Sequence, residues 1–206
     1  MGMTDEEPKS RRELWDERHA AHETIESREA DPTLVALATP LAPGRALDLA
    51  AGDGRNAIWL ASRGWRVTAV DFSGVALERA RAAGDRAGVS VEWVQADLLG
   101  WRAEPRSADL VVLMFLHLPP EERRVVLAAA ADAVAPGGRL LIVGHDRSNL
   151  GRGVPGPEDP ALLYATDEVV ADLAALVVNE ARQVDHDLGD GRVSTDAVLL
   201  ARRPSR

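Results

Sequence analysis

The sequence predicts a doubly wound α/β fold, a mostly parallel seven-stranded sheet that ends in a C-terminal antiparallel hairpin. Three observations carry this. Short apolar, strand-like segments alternate with helix-like segments five times, as a parallel sheet wound on both faces requires. From Asp109 to Leu116 runs a continuous apolar stretch, the pattern of a central strand covered on both sides. Gly189-Asp190-Gly191 separates the last two strand-like segments closely enough to turn a hairpin.

The elements follow in order. The polar N-terminus reads as disordered, and Arg11 to about His22 as an amphipathic helix carrying Leu14 and Trp15. Asp31 caps a second helix with Pro32 at its first position, and this helix ends before Pro40. Pro43-Gly44 turns into strand one, Arg45 to Leu49. A helix from about Arg55 closes at Gly64, and strand two is Trp65 to Asp71. Ser73 caps the helix from Gly74 to about Ala83, and Val89 to Val94 alternates as strand three. Asp109 to Leu116 is strand four; Pro119-Pro120-Glu121-Glu122 starts a helix running to about Ala135. Pro136-Gly137-Gly138 leads into strand five, Arg139 to Val143. His145 to Pro160, with three glycines and three prolines, reads as a long loop, a candidate lid. Thr166-Asp167-Glu168 starts the last helix, and the hairpin strands lie near Val177 to Val184 and Ser194 to Arg202. The expected organisation is one domain over residues 1–206, with residues 1–40 as a helical cap and 145–160 as the lid.

Composition narrows the function. A net charge of -9 argues against non-specific nucleic-acid binding, which depends on neutralising phosphates. No apolar run is long enough to span a membrane, and the charged first residues are not a signal peptide, so a cytoplasmic protein is expected. With no cysteine, disulfides, thiolate metal sites and cysteine nucleophiles are excluded. His19 and His22 share a helix face without a third ligand nearby in sequence, so no metal site is expected.

The chemistry concentrates after strands one and two. Leu47-Asp48-Leu49-Ala50-Ala51-Gly52-Asp53-Gly54-Arg55-Asn56 is an apolar strand entering a glycine turn and a helix, where backbone N–H groups can meet a ligand. Gly52 and Gly54 permit close backbone approach. Asp71 ends the next strand, the place where such Rossmann-like folds hold a pair of ribose hydroxyls, and Phe72 follows it as a surface for adenine. Gly52-x-Gly54-x-x-Ala57 also satisfies the dinucleotide fingerprint. Asp48 discriminates, because a carboxylate before the turn repels a pyrophosphate and favours a ligand carrying an ammonium and a sulfonium. S-adenosylmethionine is such a ligand. Arg55 or Asn56 could reach its carboxylate or cap the helix.

These motifs resemble those of the class I S-adenosylmethionine-dependent methyltransferases. Gly52-Asp53-Gly54-Arg55-Asn56-Ala57 with Trp59-Leu60-Ala61 is similar to the tellurite-resistance and thiopurine branch, and Val112-Leu113-Met114-Phe115-Leu116 resembles its fourth-strand segment. The likeness runs from about Leu34 to Arg202, with Ala50 and Ala51 standing where the usual glycine and cysteine would be. It implies that Asp97, followed by Leu98, receives the adenine amino group and that Met114 lies under the methionine moiety. It further implies a small-molecule methyl acceptor and S-adenosylhomocysteine as product. Two histidines at or beyond strand ends, His117 and His145, are candidate bases; Asp146 would fix the tautomer of His145 or pair with Arg147. Trp15 and Arg18 could cover the site from the first helix. The competing readings are an NAD(P)-dependent oxidoreductase, disfavoured by Asp48 and the lack of a Tyr-x-x-x-Lys pair, and a non-catalytic cofactor-binding module.

Overall fold

The computed structural model of the chain describes residues 9–21 and 29–205. The expectations for Met1 to Pro8 and for His22 fall outside the described residues. Helix α1 (Arg11–Ala21) opens on a capping box: Glu13 Oε2 accepts from the Ser10 N–H at 2.7 Å, and Ser10 Oγ accepts from the Glu13 N–H at 3.3 Å. Helix α2 (Pro32–Ala38) is capped by Asp31, whose side chain accepts from the Thr33 N–H at 2.8 Å. Then come β1 (Arg45–Leu49), α3 (Arg55–Ser62), β2 (Arg66–Asp71), α4 (Gly74–Ala87), β3 (Glu92–Gln95), β4 (Ala108–Met114), α5 (Pro120–Ala133), β5 (Val134–His145), α6 (Thr166–Asp172), β6 (Val177–Asp187) and β7 (Val193–Arg202).

The seven strands form one sheet in the order β3-β2-β1-β4-β5-β7-β6. Pairing is parallel from β3 to β5; β7 runs antiparallel to both β5 and β6. The topological switch therefore lies between β1 and β4, where a doubly wound sheet opens a crevice at its carboxyl ends. Strand β4 shows why its sequence is apolar from Leu110 to Met114. Leu110 and Val112 pack on the face carrying Leu34, Leu60 and Trp65, while Val111 and Leu113 pack on the face carrying Val126, Leu127, Val169 and Leu173.

Several boundaries differ from the sequence expectation. Helix α4 continues to Ala87, because its only internal breaker, Gly84, lies inside the helix facing Trp93, and Gly88 at φ +68° ends it. Helix α5 stops at Ala133 and β5 begins at once, carrying Pro136-Gly137-Gly138 within the strand and shifting its register against β4 between Ala108 and Leu110. At its other end β5 extends to His145, opposite Asp196 of β7. The 145–160 segment is also more ordered than a free loop. Residues Arg147–Asn149 and Pro160–Leu162 form 3₁₀ turns, and the Asn149 side chain exchanges two hydrogen bonds with the Thr195 backbone at 2.7 and 2.8 Å. Tyr164 lies flat against Gly144, where a Cβ would meet the ring at 2.4 Å, and donates its hydroxyl to the Leu116 carbonyl at 2.6 Å. The segments after β4 and β5 are thereby tied together.

Candidate active site

The carboxyl ends of β1, β2 and β4 and the face of α1 enclose a cavity of about 1030 Å³. Its floor is the turn after β1. The Gly52 N–H donates to Asp71 Oδ2 at 2.8 Å, and the Ser73 N–H donates to Asp71 Oδ1 at 2.9 Å. One buried carboxylate thus clamps two turns, and each oxygen keeps a second lone pair for a further donor. Burial pushes the Asp71 carboxyl above the usual carboxylate range, against the pull of those backbone donors and of His19. Gly52 faces the cavity, with only the His19 ring near a would-be Cβ, at 3.7 Å.

Asp48 sits one layer below, outside the cavity lining and 2% exposed. It accepts from the Ala57 N–H at the start of α3, and its Oδ2 is buried without a partner among the described residues. Burial first, and the adjacent charge of Asp71 second, push its carboxyl up to about 7. A folded carboxyl that keeps its proton to about 7, against 3.8 ordinarily, stabilises the fold fully below the lower value. That contribution is lost as pH rises through the upper one, a fall on the order of 4 kcal/mol. Asp48→Asn is expected to flatten this part of the stability curve and to melt above the wild type at about pH 8. Thermal melts of both proteins between about pH 4 and 8 test it; parallel curves would sink the linkage.

The turn carries strain. Ala50 follows β1 at φ +59° and Phe115 follows β4 at φ +56°, and both line the cavity. A left-handed alanine costs about 1–2 kcal/mol, part of which glycine returns as backbone entropy. Ala50→Gly is therefore expected to raise the Tm by roughly 1–4 °C, readable by calorimetry, and a lower Tm would refute the strain.

The other sequence-predicted residues divide. Arg55, Phe72, Asp97, Leu98, Met114, His117 and His145 all line the cavity, together with Trp15 and Arg18 of α1. Asp97 Oδ1 accepts from the Leu99 N–H at 2.9 Å, so this carboxylate also shapes its own turn. Met114 Sδ receives the Asn56 amide at 3.2 Å, while Asn56 Oδ1 accepts from the Asp31 N–H at 2.9 Å. Asn56 thus ties α2 to the turn, and both it and Arg55, which lies 3.9 Å from Asp31, line the cavity.

Gly54 does not face the cavity. It is the left-handed N-cap of α3 at φ +81°, and a Cβ there would meet Trp93 at 2.5 Å and Ala80 at 2.9 Å. Its role is close helix packing rather than approach to a ligand. Asp146 is likewise corrected. It is 3% exposed and outside the lining, accepts from the Ser148 N–H at 2.8 Å and Gln183 Nε2 at 2.9 Å, and reaches neither histidine. Arg147 pairs with Glu168, at 2.8 and 2.9 Å, instead of with Asp146.

The residue that does hold His145 is Asp196, with Oδ1 3.0 Å from Nδ1, a partner the sequence reading missed. The signal was an acid directly before the apolar run Ala197 to Ala201 of the last strand; placing that strand beside β5 would have put it opposite His145. His117 donates from Nδ1 to the Leu162 carbonyl at 2.9 Å, leaving Nε2 buried without a partner among the described residues. Burial pushes this imidazole down to about 4, so it stays neutral at physiological pH. Helix α1 closes the cavity through a His19–Asp53 contact at 3.2 Å, a Ser73–Asp16 hydrogen bond and an Arg11–Glu122 pair at 2.6 Å. No group of metal-binding side chains occurs among the described residues.

Residues 46–138, from β1 through the turn that enters the central part of β5, match the methyltransferase-domain family. That match spans a little under half of the chain. Demethylmenaquinone methyltransferase from Clavibacter sepedonicus is 40% identical over 105 residues, which is 50% of this chain and 42% of that protein. The chain thus spans less than half the length of this curated relative. Among solved structures, N-methyltransferase NodS from Bradyrhizobium japonicum WM9, in complex with S-adenosyl-L-homocysteine, is similar at a TM-score of 0.72 and 21% identity, over 93% of this chain and 97% of that one. TehB from Haemophilus influenzae is similar at a TM-score of 0.72 and 19% identity, over 87% of this chain and 64% of that one. At such identities the structural likeness establishes the fold, and this chain has the Rossmann-like sheet of these proteins. No helix of the described residues is long and apolar enough to cross a membrane.

Proposed function

We propose that this chain transfers a methyl group from S-adenosylmethionine to a small-molecule nucleophile, with S-adenosylhomocysteine as product. The observation that carries the reading is the Asp71 clamp on Gly52 at the cavity floor, above a buried carboxyl with an orphaned oxygen. The residues present suit the cofactor. Asp71 has lone pairs for ribose hydroxyls, and Phe72, Asp97 and Leu98 form the wall for adenine. Met114 and the Gly52 turn bound the space for the methionine moiety, with Arg55 at hand for its carboxylate. Asp48 supplies a negative potential from beneath the turn, which a cationic ligand deepens by favouring its ionised form.

When bound, S-adenosylmethionine supplies a methyl group already activated by a positive sulfur. The protein's task is then alignment and exclusion of water. Helix α1 does the second from above, with Trp15, Arg18 and His19, and Phe115, Leu116 and Leu118 form an apolar wall on the β4 side. The relative from Clavibacter sepedonicus is named for a small molecule, demethylmenaquinone, which supports the size class of the acceptor. The acidic balance of the chain supports a partner other than nucleic acid and fits work in the cytoplasm.

Calorimetric titration with S-adenosylmethionine, S-adenosylhomocysteine and NADH tests the reading. Binding of the first two and not NADH is the expected result. Binding of NADH alone would replace methyl transfer with hydride transfer, and tight binding without turnover on any acceptor would point to a non-catalytic module.

A further inference from the structure

His145 is the last residue of β5 and stands directly opposite Asp196 on the antiparallel β7. That register, rather than any local motif, brings Nδ1 to 3.0 Å from Asp196 Oδ1. The second carboxylate oxygen lies 3.2 Å from Nε2 of His186, on the edge strand β6. Asp196 is only 6% exposed, so its charge is held between two imidazoles, one at the cavity and one towards solvent. The ring of His145 is fixed on its faces as well. It stacks on His117 with centroids 5.2 Å apart and planes 9° apart, and Phe115 lies against it at 5.1 Å. Gly156, in the 145–160 loop, lies so close that a Cβ would come within 2.9 Å of Cδ2. With Nδ1 committed to Asp196, the nitrogen left for chemistry is Nε2, on a residue that lines the cavity.

We propose that His145 is the proton acceptor of the reaction, that Asp196 is its positioning residue, and that the substrate class is an apolar-bodied molecule methylated at an O–H or N–H group. This rests on the methyltransferase reading. The acceptor's proton passes to Nε2 of His145, and the pair of electrons it leaves forms the new bond to the methyl carbon. The pair of the broken carbon–sulfur bond stays on sulfur, and Asp196 balances the charge of the imidazolium. A substrate that arrives as an anion, such as a thiolate or a metalloid oxyanion, has no such proton to lose. A dedicated, carboxylate-oriented imidazole is the feature such a substrate would leave unused. His117 takes no part in the transfer. Its Nδ1–H is spent on Leu162, and it serves as the platform that holds the His145 ring. The other charged or titratable groups around this pair are Arg123 on α5, Arg152 in the loop, Asp185 and His186 on β6, and Tyr164 packed edge-on to His117.

Two measurements decide it. Nitrogen-15 imidazole spectra of the wild type, with S-adenosylhomocysteine bound, are expected to show His145 as the Nδ1–H tautomer, and Asp196→Asn is expected to abolish that preference. An Nε2–H tautomer in the wild type would overturn the proposal without any acceptor being known. Turnover is then compared on phenols, amines and thiols. His145→Ala and Asp196→Asn are expected to lower kcat on hydroxyl and amine acceptors by about 10²–10⁴-fold for the first and less for the second. The loss on thiols that arrive as thiolates should be clearly smaller than the loss on phenols, S-adenosylmethionine affinity should stay within about threefold, and added imidazole should partly restore His145→Ala. Equal losses on thiols and phenols, or unchanged phenol turnover, would refute a base at this position. Failure of the wild type to bind S-adenosylmethionine would instead remove the methyltransferase reading itself.

Discussion

Asp71→Ala is expected to weaken S-adenosylmethionine binding by at least about 100-fold while leaving a folded protein. Hydrogen bonds to a charged group contribute roughly 1.5–3 kcal/mol each, and two ribose hydroxyls would use the two free lone-pair directions of this carboxylate. Each 1.4 kcal/mol is about tenfold in affinity. The substitution also releases the Gly52 and Ser73 N–H groups that Asp71 holds at 2.8 and 2.9 Å, so part of the loss arises from a loosened turn. Asp71→Asn separates the two effects, because its single carbonyl oxygen still accepts while the charge and one acceptor are gone. Calorimetric titration beside a thermal melt measures both quantities. If Asp71→Ala binds as the wild type does, the residue is a clamp of the backbone and the ribose site lies elsewhere. If both variants unfold, the buried acid is structural first.

The parts of this molecule that could be read in the sequence are those governed by local chemistry. Asp31 with Pro32, Ser73 with Gly74 and the closing glycine Gly64 act within a few residues of themselves. The unbroken apolar run of β4 could mean little else in a chain of alternating elements. The Gly52 turn and Asp71 belong to the same class, because a strand end and its following turn are contiguous. What stayed illegible depended on register between distant segments. His145 and Asp196 are 51 residues apart, and only the antiparallel pairing of β5 with β7 makes them neighbours. Asp146 misled because adjacency in sequence places two side chains of extended backbone on opposite faces, so it turned inward to Gln183 while His145 met the cavity. The two glycines of the turn misled in the same way. Spacing identified both, but only packing separates the one that faces the cavity from the one that faces a helix.

That separation has a large expected consequence for stability. Gly54→Ala is expected to destabilise the fold by roughly 2–5 kcal/mol, a Tm loss of about 5–15 °C for a chain of this size. Two costs combine. The residue sits at φ +81°, where a Cβ costs about 1–2 kcal/mol. The Cβ would also lie 2.5 Å from Trp93 Cη2 and 2.9 Å from the Ala80 Cβ. Trp93 can swing only by leaving its place against Gly84, and Ala80 is fully buried with no rotamer to change. Trimming the obstacle should therefore recover part of the loss, so Gly54→Ala combined with Trp93→Leu is expected to be less destabilised than the sum of the single changes. Gly52→Ala supplies the contrast. Its Cβ meets only the His19 ring at 3.7 Å, leaving the backbone term at φ +52° as the main stability cost. Its effect should fall on ligand binding, because the methyl group would occupy the cavity floor beside Asp71. Chemical denaturation of Gly54→Ala, Trp93→Leu, their combination and Gly52→Ala, with S-adenosylhomocysteine titrations of those that fold, would establish this division of labour. A Gly54→Ala protein as stable as the wild type, or a Gly52→Ala protein with undiminished affinity, would each overturn half of it.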